Sequence, residues 1–365
     1  MAYRYRHLNN SDIPWTEIEQ CHDSTVFKTR AWSRFLQDSL HVSPYIIEIA
    51  HDDGEVAGWF YAQLITRMGI KVLASPFEGW TTSYQGLCMR RRVSVEERME
   101  IYRGLFDHCL STSVCHMVQV SDWQLPESLP DTFTVSSRVC GDVCGGTSGG
   151  VRGRFGVVVE NCRSIYLDIT PDEDRLLRSF RQKSARYSIS KATRLGVTVR
   201  EAQDMHAFAK AYYAQLRDVF DRQNLVPPYD ESRVSKMLEA LHCTGMAVAL
   251  EALHPQTGES MATIIFIHHN GLAFYWGAAS WRQYHAYCPN ELLFFEAVKR
   301  LKQRGVTTIE MEGIRKYKEK YNPTVYSKPK LMAARHTVTI RLKTMAKRAY
   351  YAVRRCHAKL KGLWK

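Results

Sequence analysis

The run Gly313–Thr324, GIRKYKEKYNPT, places four Lys/Arg and two tyrosines within nine residues and stops at Asn322-Pro323. That density admits three readings: a patch for nucleic-acid phosphates, the solvated face of a helix, or one lysine, Lys318, held between Tyr317 and Tyr321 for chemistry. Just before it, VTTIEME alternates as a strand does, which predicts Glu310 and Glu312 on one side and Met311 on the other. Two carboxylates beside a lysine can act as general bases, or can be neutralised by neighbouring Arg and Lys. A second basic stretch follows Tyr166, YLDITPDEDRLLRSFRQKSARYSISKATRLGVTV. Thr170 with Glu173 reads as a capping box and Pro171 as the first helical residue, so the spacing predicts one helix to about Thr193, stopped by Gly196. It carries Arg181, Lys183, Arg186 and Lys191, as an anion site or as a solvated basic face.

Other combinations point away from chemistry. His268 and His269 are neighbours on a strand and face opposite ways, so they make no metal pair. The ten cysteines contain no CxxC; Cys140 and Cys144 in CGDVC lack a second pair or a histidine at zinc spacing, so no metal is expected. GGTSGG lacks the GK[ST] of a phosphate loop and reads as a linker. Spacing alone yields no Ser-His-Asp or Cys-His arrangement.

The elements that must position these residues come as the same block twice. Tyr45–Trp80 reads as strand, Asp-Asp-Gly turn, strand, Gly69, strand; Met246–Ser280 repeats strand, polar turn, strand, Gly271, aromatic strand. Each block precedes a helical stretch (96–110 and 291–304) and a further strand (114–120 and 306–311). For 365 residues this predicts a duplicated α/β domain. The glycine-rich stretch 140–156 puts the boundary near 160, giving domains 1–160 and 161–335 and a basic tail 336–365. Asn290 is expected to cap the late helix and Gly305 to end it. Strand ends and helix N-termini open ligand sites in such folds, so RKYKEKYN hangs beside one.

At these residues the chain resembles a known family. Lys183…Arg186…Ile189…Lys191-Ala192…Gly196-Val197, then PNELLFFEAVKRLKQRGV, then EMEG…YKEKYNPT, is similar to the Fem-type transferases and to acetyltransferase-like proteins of polysaccharide operons, both double-domain branches of the GNAT superfamily. The resemblance implies two tandem GNAT-like domains, each a mixed, mostly antiparallel sheet flanked by helices (class α/β, α+β). It implies N-acyl transfer from an acyl-CoA or an aminoacyl-tRNA. It makes Tyr317-Lys318 the aromatic–lysine pair at the acyl centre and places Lys183 and Arg186, with Lys191, near donor or acceptor phosphates. Arg282 to Asn290, RQYHAYCPN, stand where ordinary GNATs carry their CoA-pyrophosphate loop, which makes Arg282 and Asn290 candidate binding residues. EMEG replaces the family's D-x-G-G, and Tyr321 a Phe or Trp.

Amine attack on a thioester or ester passes through an oxyanion, and a donor aimed at that oxygen contributes about 3–4 kcal/mol in a dry cleft. Lys318 is the best available cation, Glu310 and Glu312 the candidate bases, and Trp276 a residue of the acyl pocket or of the core.

Composition bounds the rest. The chain is 45% hydrophobic with a net charge of +13, and nine Lys/Arg with no acid follow His336. That tail reads as an amphipathic helix on an anionic bilayer (Ile340, Leu342, Met345, Tyr350, Val353, Leu360, Trp364), as a grip on tRNA phosphates, or as a solvated end. MAYRYRHLNNSDIPW has no signal-peptide core and no run is apolar enough to span a membrane, so the expected place is cytoplasmic, peripheral at the inner face if the tail binds lipid. The expected activity is an N-acyltransferase, with a slight lean to acyl-CoA. Its acceptor would be a small-molecule amine of a cell-envelope precursor, an amino sugar or muropeptide, nucleotide- or lipid-linked. The alternatives are a tRNA-dependent aminoacyl transferase and a non-catalytic nucleic-acid-binding protein.

Overall fold

The computed structural model describes residues 3–67, 69–129, 137–139, 155–336, 338–345 and 349. In chain order it forms β1 (Tyr3–His7), α1 (Trp15–Gln20), α2 (Arg30–Leu40), β2 (Tyr45–His51), β3 (Val56–Arg67), β4 (Ile70–Ser75), β5 (Gly86–Met89), α3 (Val95–Ser111), β6 (Met117–Ser121), β7 (Ser137–Val139) and β8 (Gly156–Asp168). It continues with α4 (Glu173–Ser179), α5 (Tyr187–Arg194), β9 (Thr198–Glu201), α6 (Met205–Asp221), α7 (Glu231–His242), β10 (Ala247–Leu253), β11 (Ser260–His269), β12 (Leu272–Ser280), α8 (Pro289–Gln303), β13 (Thr308–Glu310) and β14 (Thr324–Ala334). Two compact units result, one holding Met1–Arg163 and the return from Tyr326, the other holding Ser164–Val325.

In the first unit β1, β2, β3, β4, β6 and β14 lie side by side, antiparallel except for β4 beside β6, and β5 pairs with β3. Helix α3 starts where Ser94 Oγ accepts the Glu97 N–H at 3.2 Å, with Glu96 and Glu97 suited to the positive end of the helix dipole. It buries Tyr102, Leu105 and Phe106 against Phe60, Leu73 and Val118. Arg98 of the same helix is buried and pairs with Asp23 (2.6 Å) and Asp122 (2.9 Å), while Tyr102 donates to Asp122 at 2.5 Å.

In the second unit the order is β9, β10, β11, β12, β13, with the end of β8 beside β13. Ile264 and Phe266 share a core with Leu293, Phe294 and Val298 of α8. Thr263, one residue out of phase, donates to Gln215 of α6 at 2.7 Å, so helices cover both faces.

The duplication is visible in the pairing. Each unit has a three-strand meander (β2–β3–β4; β10–β11–β12), a helix (α3; α8) and a strand (β6; β13) lying parallel to the meander's last strand.

Four local expectations are corrected. The single helix to Thr193 is broken: Asp172, not Thr170, caps α4, its Oδ1 accepting the Arg175 N–H at 2.8 Å. Phe180 is extended, because its buried ring packs on Phe295 and Tyr321 and the next N–H, of Arg181, donates to Lys320 O at 2.9 Å. The chain resumes through a wide turn, Gln182–Arg186, into α5. Cys288, left-handed at φ 54°, caps α8 in place of Asn290, with Pro289 at the first position. The chain crosses between units inside β8, at Arg163/Ser164 and so near the expected 160, but it rejoins the first unit at Tyr326 rather than ending the second at 335, because Lys330–Ala334 pair with β6. Residues 346–348 and 350–365, with most of the tail's cations and Tyr350, Val353, Leu360 and Trp364, lie outside the described residues, as do 140–154 with Cys140 and Cys144.

Candidate functional site

Strands β12 and β13 run parallel for three residue pairs, ending at Phe274↔Glu310, and then part. β12 continues as Tyr275–Ser280, while the other chain turns away through Glu312 (φ 56°) and Gly313 (φ 83°). A bulge at Trp276, where Ile265 faces Gly277 and Phe266 faces Tyr275, re-aims the side chains of β12 at this point. The gap is a cavity of about 610 Å³. Its apolar wall is Ile264, Tyr275, Leu293, Phe294, Met311 and Tyr321, and its polar part includes Arg222, Arg282, Lys318 and Lys320. Among the described residues no acidic side chain lines it.

Lys318 sits on the turn Lys316–Tyr321 and is 3% exposed. Its ammonium donates to the carbonyls of Met311, Glu312 (3.1 Å) and Gly313 (3.4 Å) and lies 5.0 Å from the Tyr275 ring centre and 5.7 Å from that of Tyr317. All three N–H donors are thus spent on the left-handed turn after β13, and Lys318 braces the cavity wall. Burial pulls its pKa down to about 8, against the opposing pull of Glu312 and Glu310. Tyr317 is 54% exposed and Tyr321 buried, stacked on Phe294 with ring centres 3.9 Å apart.

The expected pairing of the two glutamates on one strand face is corrected. Glu310 is buried, accepting from Ser164 Oγ and from the Glu312 N–H (3.0 Å). Glu312 lies past the strand in the left-handed region, where alternation no longer holds, and is exposed. Neither lines the cavity.

Of the remaining sequence candidates, Arg282 and Asn290 line the cavity. Arg282 is exposed with no acidic partner among the described residues, whereas Arg222 pairs with Asp218 (2.9 Å) and Lys320 with Glu291. Lys183 and Arg186 lie on the turn Gln182–Arg186, which packs on the Lys316–Tyr321 turn, and Lys191 on α5; none lines the cavity. Trp276 packs on Tyr229 at 4.6 Å, off the cavity, with its Nε1 buried and unpartnered among the described residues.

Residues 178–321, the stretch that builds most of the cavity, match the acetyltransferase (GNAT) domain family. The second unit is a GNAT acyltransferase domain. Among solved structures the chain is similar to FemX, with a TM-score of 0.66 at 12% identity over 90% of this chain and 96% of that one. It is also similar to a conserved protein of unknown function from Bacteroides thetaiotaomicron, with a TM-score of 0.54 at 12% identity over 91% and 99%. At such identity these matches establish the fold. No curated protein matches the sequence. The GNAT domain is thus the second of two tandem units, and the enzyme is an acyltransferase whose strand splay forms the cavity.

Ser280 and His285 are among the cavity residues that escaped sequence reading. Ser280 ends β12 and His285 lies on the short helical turn Arg282–Tyr287; Ser280 Oγ is 3.3 Å from His285 Nε2 and accepts from Asn290 Nδ2 at 3.1 Å. The available signal was a histidine between the meander and the late helix, in RQYHAYCPN. Among the described residues no helix is long and apolar enough to cross a membrane.

Proposed function

We propose that the chain transfers an acyl group from CoA to the amine of a cell-envelope precursor, an amino sugar or a muropeptide. The observation that carries this is the gap between β12 and β13, apolar inside, cationic at its polar part and, among the described residues, lined by no acid. Beyond Phe274 the edge of β12 has lost its β13 partner, and an extended carrier arm can take that place. Arg282 and the first turn of α8 offer positive potential to the carrier's phosphates. The amine nitrogen bonds to the acyl carbon, and the thiolate leaves with the electrons of the broken C–S bond. Lys318, by turning its longest hydrogen bond from Gly313 O to the acyl oxygen, stabilises the oxyanion between them, and Tyr317 limits water there. Lys183, Arg186 and Lys191 serve acceptor phosphates.

One observation favours an aminoacyl-tRNA donor instead. Where a CoA-pyrophosphate loop would lie, the chain forms the turn Arg282–Tyr287 and a left-handed Cys288, with no glycine. Thermal-shift measurements with CoA, acetyl-CoA and alanyl-tRNA separate the two. A ligand specific for the folded state at 100 times its Kd adds about 2.7 kcal/mol. A CoA-dependent rise supports the first donor; a rise with charged tRNA alone replaces it.

The helical residues 338–345 expose Val338, Leu342 and Met345, spaced four and three apart and thus on one face. With the basic sequence after them, this face supports peripheral contact with an anionic membrane, and a cytoplasmic enzyme working at its inner surface.

A further inference from the structure

An amine must shed a proton as it attacks, and the two glutamates next to Lys318 are turned away from the cavity. Among the described residues the cavity is lined by one imidazole, that of His285. It stands on the turn between β12 and α8, and three elements converge on its partner: Ser280 ends β12, held in register opposite Ala262; His285 lies on the connecting turn; Asn290 comes from the first turn of α8. Ser280 is 6% exposed yet lines the cavity. Its hydroxyl has one proton and two lone pairs. Asn290 Nδ2 occupies one lone pair at 3.1 Å, and His285 Nε2, at 3.3 Å, is the acceptor in reach of the proton. One lone pair remains for a donor arriving in the cavity.

We propose that Ser280 and His285 form the proton relay for the attacking amine, with Asn290 as the residue that positions Ser280; this rests on the acyl-transfer reading above. As the C–N bond forms, the amine proton passes to Ser280 Oγ while the Ser280 proton passes to His285 Nε2. The exposed imidazolium then gives its proton to solvent, and the carrier departs with the electron pair of its broken bond. The relay works with a thioester or an ester donor. The charged groups facing the imidazole are Arg282 on its own turn, Asp218 from α6, Arg222 at the C-terminal cap of α6, and Glu291 from α8, and Lys318 and Lys320 line the same cavity. Burial and then Arg222 hold the imidazole below its ordinary pKa, with Glu291 opposing, so it is neutral and able to accept near pH 7.

The test uses the full chain with acetyl-CoA or alanyl-tRNA as donor and glucosamine or a UDP-linked muropeptide as acceptor. H285A and S280A are expected to lose about 10²–10³-fold in kcat with donor KM little changed, the range of general acid–base catalysis. H285A should also lose the acidic limb of the kcat–pH profile and regain activity with added imidazole, because the site left behind is open to solvent; H285Q should show the loss without any change in melting temperature. Variants that keep wild-type kcat and the acidic limb overturn the relay while leaving the acyltransferase intact. Loss without imidazole rescue, matched by a fall in melting temperature, also overturns it, since it marks a brace between β12 and α8. Wild type inert with both donors overturns the acyl-transfer reading, and the relay with it.

Discussion

The Tyr212 hydroxyl lies where a side chain on Gly277 would have to sit: a Cβ there would be 2.2 Å from it. Tyr212 belongs to α6 and Gly277 to the stretch of β12 that forms the cavity, and the hydroxyl is held by Tyr229 at 2.7 Å. The glycine is therefore required by close approach and not by its backbone angle.

The first prediction follows from that contact. G277A should destabilise the protein by about 1–3 kcal/mol, the range for overpacking a filled site. Y212F removes the obstructing atom, so the double variant Y212F/G277A should recover part of the loss. Urea denaturation of the four proteins in the cycle checks this; strict additivity would show that the hydroxyl is not the obstacle.

A second concerns the buried ion cluster of the first unit. R98M leaves Asp23 and Asp122 buried without their ion-pair partner, and removing one partner of a buried pair costs about 3–5 kcal/mol. Burial alone would raise the Asp122 pKa, but Arg98 and then Lys28 hold it below the ordinary value. A carboxylate with a depressed folded pKa contributes stability above its unfolded pKa and loses it as pH falls through the folded one. Wild type should lose this contribution on acidification below the ordinary aspartate range, and R98M should lack that step in a pH series of denaturation curves.

Lys318 gives a third, with the opposite sign. Its folded pKa, about 8, lies below the ordinary lysine value, so the unfolded chain holds the proton more tightly between the two. Stability from this group should rise with pH from about 8 towards the ordinary value, and K318M should show no such rise. In turnover assays K318A should lose about 10²–10³-fold in kcat, as expected for an oxyanion donor. Full activity of K318A would sink the role proposed for it.

The fourth addresses the exposed face of residues 338–345. L342E/M345E should abolish co-sedimentation with vesicles containing anionic lipid while leaving the melting temperature within about 0.5 kcal/mol equivalent of wild type, as exposed positions allow. Binding of wild type should weaken with salt as the cation–lipid attraction is screened. Equal binding by both proteins, or none by wild type, contradicts the membrane assignment.

Much of this protein was legible in its sequence. The two meanders, the helices after them and the strands that follow are written in apolar periods of two and 3.6, because each side chain's burial is decided by its place on its own element. The order strand, then YKEKY, likewise put Lys318 beside a strand end, and Gly305 marked the close of α8. Tertiary structure alone decided the rest. Phe180 leaves the helix because a ring pocket formed by Phe295 and Tyr321 takes it. Glu312 leaves the strand face because the turn behind it is held left-handed by Lys318. Ser280, His285 and Asn290 meet because a short turn folds back between β12 and α8, and the chain rejoins its first unit because β14 finds β6. In each case the deciding partner is fixed by three-dimensional packing and backbone geometry, and no local period records such contacts.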